Sequence, residues 1–347
     1  MATQASLFDR DNLSLNTSAP DTIPIIDFGA FLDATASSVT AQQAKTAESL
    51  VSAFSNSGFI YLTNHGIPDD TIANMFQLSK EYFAKDLADK LSLEWESAEA
   101  NRGYVGLGKE KLSDLDKEGR AEEIKALNEL SPDLKEAFDI GLDHPDIPFK
   151  NRYPSPEFGA KAESFFKTMQ QLNIKMMKAI AIGLGVDADF FQPAIKIGTN
   201  TLRLLHYPSC PPDDINDFSR RCGAHTDYGS VTFLFQDSVG GLEVLDRSKG
   251  EFVKAMPIPG TIVVNVGDLL QRWTNDYLKS NQHRVVKPYQ VGENGLLPSR
   301  YSIAYFCDPD SETLVETIPK FVTEHNPNKY EPVTAGEHLL ARLNNTY

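Results

Sequence analysis

Apolar positions along the chain change their period near Gly185. Before it they recur every three or four residues. Over 41–57 the series Ala44, Leu50, Val51 and Phe54 predicts a helix that stops at Gly58. Residues 71–93 repeat the pattern through Met75, Leu78, Tyr82 and Phe83, and 158–184 through Phe165, Met169, Leu172, Met176 and Ile180. A Met and Phe stripe at that spacing reads as core. Two short runs suited to strands interrupt the helices. One is IPIIDF over 23–28, after Pro20; the other is FIYLT over 59–63, which runs into the turn residues Asn64, His65 and Gly66. After Gly185 short β-preferring segments follow closely, TLRLLHY, SVTFLFQ, GLEVLD, TIVVNV, HRVVKP and RYSIAYF, divided by Gly, Pro, Asp and Asn. Strands of that length with turns between them predict a sandwich or barrel, not a parallel α/β sheet. The chain thus reads as one domain over 1–347. It is mainly β with framing helices: a helix-rich segment over 1–197 with a few strands, a β core over 198–310 and a C-terminal segment over 311–347.

Charge narrows the partners. Of 347 residues, 48 are acidic and 33 are Lys or Arg, for a formal net charge of -15. Such a surface repels phosphate backbones and anionic headgroups, so neither nucleic acid nor membrane is expected, and no obligate protein partner is evident. An internal cationic pocket could still hold a small anion. Cys210, Cys222 and Cys307 form no CxxC and cannot all pair with one another, which excludes a disulfide scaffold and a zinc knuckle. The first residues have neither a basic nor an apolar signal region, and no apolar run reaches the ~18 residues of a membrane span. A soluble, cytoplasmic protein is the expectation. Lys, Asp and Glu crowd 109–134, which reads as a solvated surface helix, although its place between the Arg102-Gly103-Tyr104 turn and the β segments would also suit a flap.

The chemistry lies on the β segments. In His225-Thr226-Asp227 an imidazole and a carboxylate stand two residues apart, and on an extended backbone they share a face. His283 opens a later strand and can supply a third ligand. Two imidazoles and one carboxylate on one side of a metal form the facial triad suited to Fe(II), with sites left open for a co-substrate and O₂. HxD alone recurs by chance, and a buried histidine near a turn would explain His225 equally well. The second motif decides between them. Arg300 and Ser302 share a face of RYSIAYF, where a guanidinium can fork onto a carboxylate while the hydroxyl adds a hydrogen bond. An arginine inside the β core of so acidic a chain needs an anion, and a dicarboxylate co-substrate supplies one.

Several longer stretches now resemble a known family: GFIYLTNHGI, LLHYPSCPP, HTDYGSVTFLFQD, GGLEV, NVGDLLQRWTND, HRVV and RYSIAYF. The chain is similar, over almost its whole length, to the Fe(II)/2-oxoglutarate-dependent dioxygenases of the isopenicillin N synthase-like superfamily. ANRGY, RLLHYP, GDLLQRW and SIAYFC are most similar to its thymine-hydroxylating members. The resemblance implies a double-stranded β-helix (a cupin-like jelly roll), with His225, Asp227 and His283 on iron. It implies that Arg300, Ser302 and Tyr207 hold 2-oxoglutarate, that Arg203 and Phe306 face the substrate, and that ascorbate serves as reductant. Leu205 stands where the family often has an Asn that touches the co-substrate. Asp227 argues against halogenation, because halogenating relatives have a small residue there. Asn101, Arg102 and Tyr104 could border the pocket, while His65 and His206 read as structural. The reaction implied is oxidation of an unactivated C–H bond in a small polar molecule: a pyrimidine methyl group, a small amino acid or a natural-product intermediate. The alternatives are an oxidase or oxidative cyclase that uses no 2-oxoglutarate, and a non-catalytic ligand-binding member.

Overall fold

The computed structural model describes residues 23–32, 38–110, 133–215, 221–288 and 290–347. The expected surface helix or flap over 109–134 falls almost wholly on 111–132, outside the described residues. No helix among them is long and apolar enough to cross a membrane.

Three helices form much as their periodicity predicts. Helix α1 (Ala41–Asn56) starts at a capping box between Thr40 and Gln43. The helical pattern over 71–93 resolves into α2 (Asp69–Phe83) and a short α3 (Leu87–Leu91). The break lets the Lys90 ammonium fold back and donate to the Phe83 carbonyl at 3.3 Å, an acceptor that α2 leaves open at its end. Helix α4 (Pro156–Leu184) is capped by the Ser155 hydroxyl, carries Pro at its first position, and ends at Gly185 in the left-handed region (φ 64°) that glycine adopts without strain.

Fourteen strands follow one another in the described residues: β1 (Ile25–Asp27), β2 (Phe59–Thr63), β3 (Gly103–Val105), β4 (Glu136–Ile140), β5 (Thr201–Tyr207), β6 (Cys222–His225), β7 (Val231–Gln236), β8 (Leu242–Asp246), β9 (Glu251–Lys254), β10 (Ile262–Val266), β11 (His283–Val285), β12 (Arg300–Cys307), β13 (Leu314–Val315) and β14 (Val333–Thr334). The major sheet runs β1-β2-β10-β7-β12-β5-β4-β3 and the minor sheet β6-β11-β8-β9. Every pairing but β1 with β2 is antiparallel. The two sheets form the jelly roll. The major sheet therefore takes strands on both edges from the helix-rich first half of the chain. Its outer face carries α4, where Phe165 meets Phe235 and Phe166 meets Tyr305 with ring centroids 5.5 and 5.2 Å apart. A smaller apolar layer that includes Tyr61, Leu205, Val244, Val263 and Val285 lies between the sheets. Helix α5 (Asp268–Trp273) links β10 towards β11, and α6 (Ala335–Thr346) ends the fold.

Candidate functional site

Strand pleat decides which side chains enter the space between the sheets. In the β5–β12 pair Arg300 lies opposite Tyr207, Ser302 opposite Leu205, Ala304 opposite Arg203 and Phe306 opposite Thr201. Directly opposed residues share a face, so this whole set points inward. The other parity, Tyr301, Ile303 and Tyr305, points towards the helices. His206 has that outward parity; it stacks on Tyr301 with centroids 4.5 Å apart and contacts Glu136 at 2.7 Å, a structural place. His65 is also buried, and its Nδ1 accepts from the Ile67 N–H at 3.2 Å.

On the minor sheet His283 is the register partner of His225. Together with Asp227 they bring one ligand atom each to within 4.8 Å of one another. Asp227 Oδ1 lies 3.8 Å from His225 Nε2 and 3.7 Å from His283 Nε2. The far nitrogen of His225 donates to the Gly223 carbonyl at 2.9 Å, and that of His283 faces the Asn281 carbonyl at 3.5 Å. Those carbonyls turn both Nε2 atoms inward with their lone pairs open to a metal ion. The second carboxylate oxygen of Asp227 accepts from Asn265 Nδ2 at 2.6 Å, which leaves Oδ1 for the centre. Burial pushes the Asp227 carboxyl up, but His283, His225 and hydrogen bonds from Asn265 and Thr232 overcome it and hold the group below the usual carboxylate range.

Beside the triad, Arg300 is fully buried; its Nη1 donates to Ser302 Oγ at 3.2 Å and its guanidinium lies 4.9 Å over the Tyr207 ring. Its Nε and Nη2 have no hydrogen-bond partner among the described residues. A second buried arginine was not visible in the sequence motifs. Arg221 donates from Nη2 to the Pro298 carbonyl at 2.6 Å and lies 5.9 Å from the same ring, again with two nitrogens, Nε and Nη1, unpartnered. Buried guanidinium N–H groups without acceptors are costly, and these are open to an anion that would satisfy them.

On the other side of His225 and Asp227 opens a cavity of about 440 Å³. Asn101, Arg102, Arg203 and Phe306 line it, whereas Tyr104 turns its hydroxyl to Glu136 instead. The Arg203 guanidinium lies 5.7 Å from the Phe306 ring centroid, but it is already engaged. It forks onto Asp139 at 2.6 and 2.7 Å, donates to Glu110 at 2.7 Å and to the Tyr347 hydroxyl at 2.8 Å. Lys135, also buried, contacts Glu110 at 3.0 Å and Asp133 at 3.1 Å. Burial pushes Glu110 up, but Arg203 and Lys135 prevail and hold it down at about 2. Asp308 is different: buried in the cavity wall, its carboxyl has no hydrogen bond and no cation among the described residues. Burial first, and then the Asp227 charge, push it up to about 7. Gly229 makes room for it, since a Cβ there would stand 2.1 Å from Asp308 Oδ1.

The C-terminal segment supplies the remaining wall. Leu339, Leu340 and Leu343 of α6 line the cavity, and Tyr347 stacks on Trp95 with centroids 4.2 Å apart. From the sequence, 311–347 reads only as a C-terminal segment, and the docking of these leucines depends on partners distant in the chain. Residues 198–309 match the 2OG-Fe(II) oxygenase superfamily model, and 23–158 match the model for the N-terminal part of the non-haem dioxygenases in morphine synthesis. Proline hydroxylase buaE of Petromyces alliaceus is 36% identical over 310 residues, 86% of this chain and 92% of that protein. The 2-oxoglutarate-Fe(II) type oxidoreductase hxnY of Emericella nidulans is 31% identical over 95% of this chain and 91% of its own. The crystal structure of full-length Neurospora crassa thymine 7-hydroxylase with α-ketoglutarate and thymine superposes with a TM-score of 0.81 at 39% identity, covering 99% of this chain and all of that one. With two family models matching most of its length and relatives above 30% identity along it, the chain belongs to the 2OG-Fe(II) oxygenase superfamily.

Proposed function

We propose that His225, Asp227 and His283 hold Fe(II), that Arg300, Ser302 and Tyr207 hold the distal carboxylate of 2-oxoglutarate, and that the 440 Å³ cavity receives a compact polar substrate whose C–H bond is oxidised. The observation that carries this reading is the position of the triad. It sits between a buried arginine without an acid and a cavity of small-molecule size. The donor set fits the metal: two inward imidazole nitrogens and a carboxylate oxygen whose twin is capped by Asn265. Bound Fe(II), with 2-oxoglutarate and O₂, supplies the oxidising power, and succinate and CO₂ are released. The chain's own residues do the rest. The carbonyls of Gly223 and Asn281 set the imidazole tautomers, and Arg300 with Ser302 orients the co-substrate along β12. Leu339, Leu340 and Leu343 exclude water from the reacting bond. Arg203 has spent its charge on Asp139 and Glu110, so what it offers a substrate is a remaining N–H for a carbonyl oxygen, while Phe306 packs on the substrate's face.

Ascorbate serves as reductant in this scheme, and the cytoplasm suits an acidic chain whose three cysteines are free thiols. A pyrimidine base, a small amino acid or a natural-product intermediate is of the right size. The test is anaerobic titration of the Fe(II)-loaded protein with 2-oxoglutarate, followed by visible absorbance. A weak metal-to-ligand band that is lost in Arg300→Gln is expected. No band, with O₂ uptake that yields no succinate, overturns the co-substrate assignment.

A further inference from the structure

Among the described residues the cavity wall carries the acids Glu99, Glu110, Asp146, Asp227 and Asp308 against two bases, Arg102 and Arg203. Both arginines are neutralised locally. Arg102 pairs with Asp143 at 3.1 Å and donates to the Phe149 and Leu142 carbonyls, and Arg203 is held by Asp139 and Glu110. Of the acids, Asp227 belongs to the metal triad and Glu110 is bound by Arg203 and Lys135. The wall therefore offers no unspent cation to an anionic substrate. Glu99 is exposed and accepts from Ser97, and Asp146 is exposed and lies 3.6 Å from His144, which leaves Asp308 as the one buried carboxyl of the wall without a donor among the described residues. Asp308 follows directly on β12, two residues after Phe306, with its backbone N–H tied to Asn200 Oδ1 at 3.1 Å, so the carboxyl is fixed in place beside the triad. Only 7% of the residue is exposed. A carboxyl so enclosed, with no donor of its own, is a poor structural element, because burial without a partner costs stability and no packing return offsets it. Its neighbour Asp310, by contrast, accepts backbone N–H groups from Ile197 and Gly198 at 2.8 Å each.

We infer that Asp308 is the polar anchor of the substrate, and that the substrate presents an N–H donor, a protonated amine or a ring N–H, to it. A molecule that offers this wall a carboxylate and no N–H donor is excluded. This rests on the reading of the cavity as the substrate pocket beside the metal, and it adds the substrate class and the residue that selects it. The donor fills the open acceptor, the Arg203 N–H takes a carbonyl on the same molecule, and Phe306 covers its face. The wall is thus complementary to a compact amide, lactam or amine.

The full-length protein loaded with Mn(II) and 2-oxoglutarate tests this without turnover. Paramagnetic relaxation of probe protons reads binding next to the metal. The probes are thymine, 2-pyrrolidinone and pyrrolidine, their N-methylated counterparts 1,3-dimethylthymine, N-methylpyrrolidinone and N,N-dimethylpyrrolidinium, and cyclopentanecarboxylate. At least one N–H donor should relax while its methylated counterpart and the carboxylate do not. Asp308→Leu should weaken that donor at least tenfold. Asp308→Asn, which keeps an acceptor oxygen and the shape, should keep a neutral donor within about threefold and lose the amine. Binding that ignores N-methylation, a preference for the carboxylate, no probe bound, or a donor affinity unchanged within twofold in Asp308→Leu overturns the inference. Failure of wild type to take up one Mn(II) and one 2-oxoglutarate is a separate result, which overturns the metal and co-substrate reading instead.

Discussion

Replacing Arg203 with Met separates two roles that the structure gives one side chain. Met keeps most of the stem volume and removes the guanidinium, with its fork onto Asp139 and its bonds to Glu110 and Tyr347. The two acids then fare differently. Glu110 keeps Lys135 at 3.0 Å, whereas the Asp139 carboxylate, 1% exposed, accepts from no other group among the described residues. Removing one partner of a buried pair costs about 3–5 kcal/mol, most of it from the uncompensated charge left behind. At roughly 2 °C per kcal/mol for a chain of this size, the melting temperature should fall by roughly 6–10 °C. Converting Asp139 to Leu in the Arg203→Met background removes the stranded charge, so the double variant should recover at least about 2 kcal/mol relative to the sum of the single variants. Calorimetry of the four proteins at neutral pH completes the cycle. Below the new melting temperature, Arg203→Met should raise KM for substrate and leave that for 2-oxoglutarate unchanged. A loss under about 1 kcal/mol in Arg203→Met, or strict additivity in the double variant, would refute the claim that Arg203 is an engaged structural cation.

Glu110, held at about 2 against an ordinary 4.5, contributes stability above pH ~4.5 that is lost as the pH falls through about 2. Glu110→Gln should therefore be less stable than wild type by about 3 kcal/mol at pH 7, and the gap in denaturant melts should close progressively below pH ~4.5; a gap independent of pH would count against the ion cluster. Arg221→Gln should raise the 2-oxoglutarate dissociation constant about tenfold or more in calorimetric titrations, with no change for 2-oxobutanoate, which lacks the distal carboxylate. Equal effects on both ligands would make Arg221 a scaffold for the Pro298 carbonyl instead. Asn265→Ala, which uncaps the second Asp227 oxygen, should weaken metal binding by about 10–100-fold in chelator competition, and undiminished affinity would show that Thr232 alone suffices.

Much of the site was legible because strands encode it locally. HxD and RxS need only a two-residue period to bring their side chains to one face, and TLRLLHY and RYSIAYF carry the alternation that sends Tyr207, Arg203 and Phe306 inward with them. What was not legible depends on partners distant in the chain. Strand β4, EAFDI, is buried at every position, yet two of its five residues are acids, so its hydrophobic pattern does not announce a core strand. It becomes one because Glu136 finds Lys90, Tyr104 and His206, and Asp139 sits opposite Arg203 in register. The same pairing turned Arg203 from a free substrate ligand into a braced one. Arg221 lies in Ser-Arg-Arg-Cys-Gly, a run that reads as surface basicity until the fold encloses it. The C-terminal leucines are periodic, but nothing in their spacing names the cavity they close.

The two inward arginines of the β5–β12 pair show how one residue type acquires opposite functions. Arg203 is flanked by β4, which brings Asp139 to it, and by Glu110, so its charge is cancelled. Arg300 lies at the other end of β12, where its register partner is Tyr207 and its neighbour across the ring is Arg221; no acid pairs with it among the described residues. Among the described residues, the triad stands between an end with two buried arginines that have unpartnered N–H groups and an end whose buried carboxyl without a donor is Asp308. In a buried, low-dielectric space that difference orients ligands before any close contact forms. On the proposed reading, a dicarboxylate co-substrate would be drawn with its tail to the arginine end and away from the cavity. On the same reading, a cationic substrate would be repelled from the arginine end, and one with a neutral N–H would find its open acceptor only in the cavity. The fixed strand register that carries both arginines would thus let a single β-sheet face sort the two ligands on either side of the His225, Asp227 and His283 cluster.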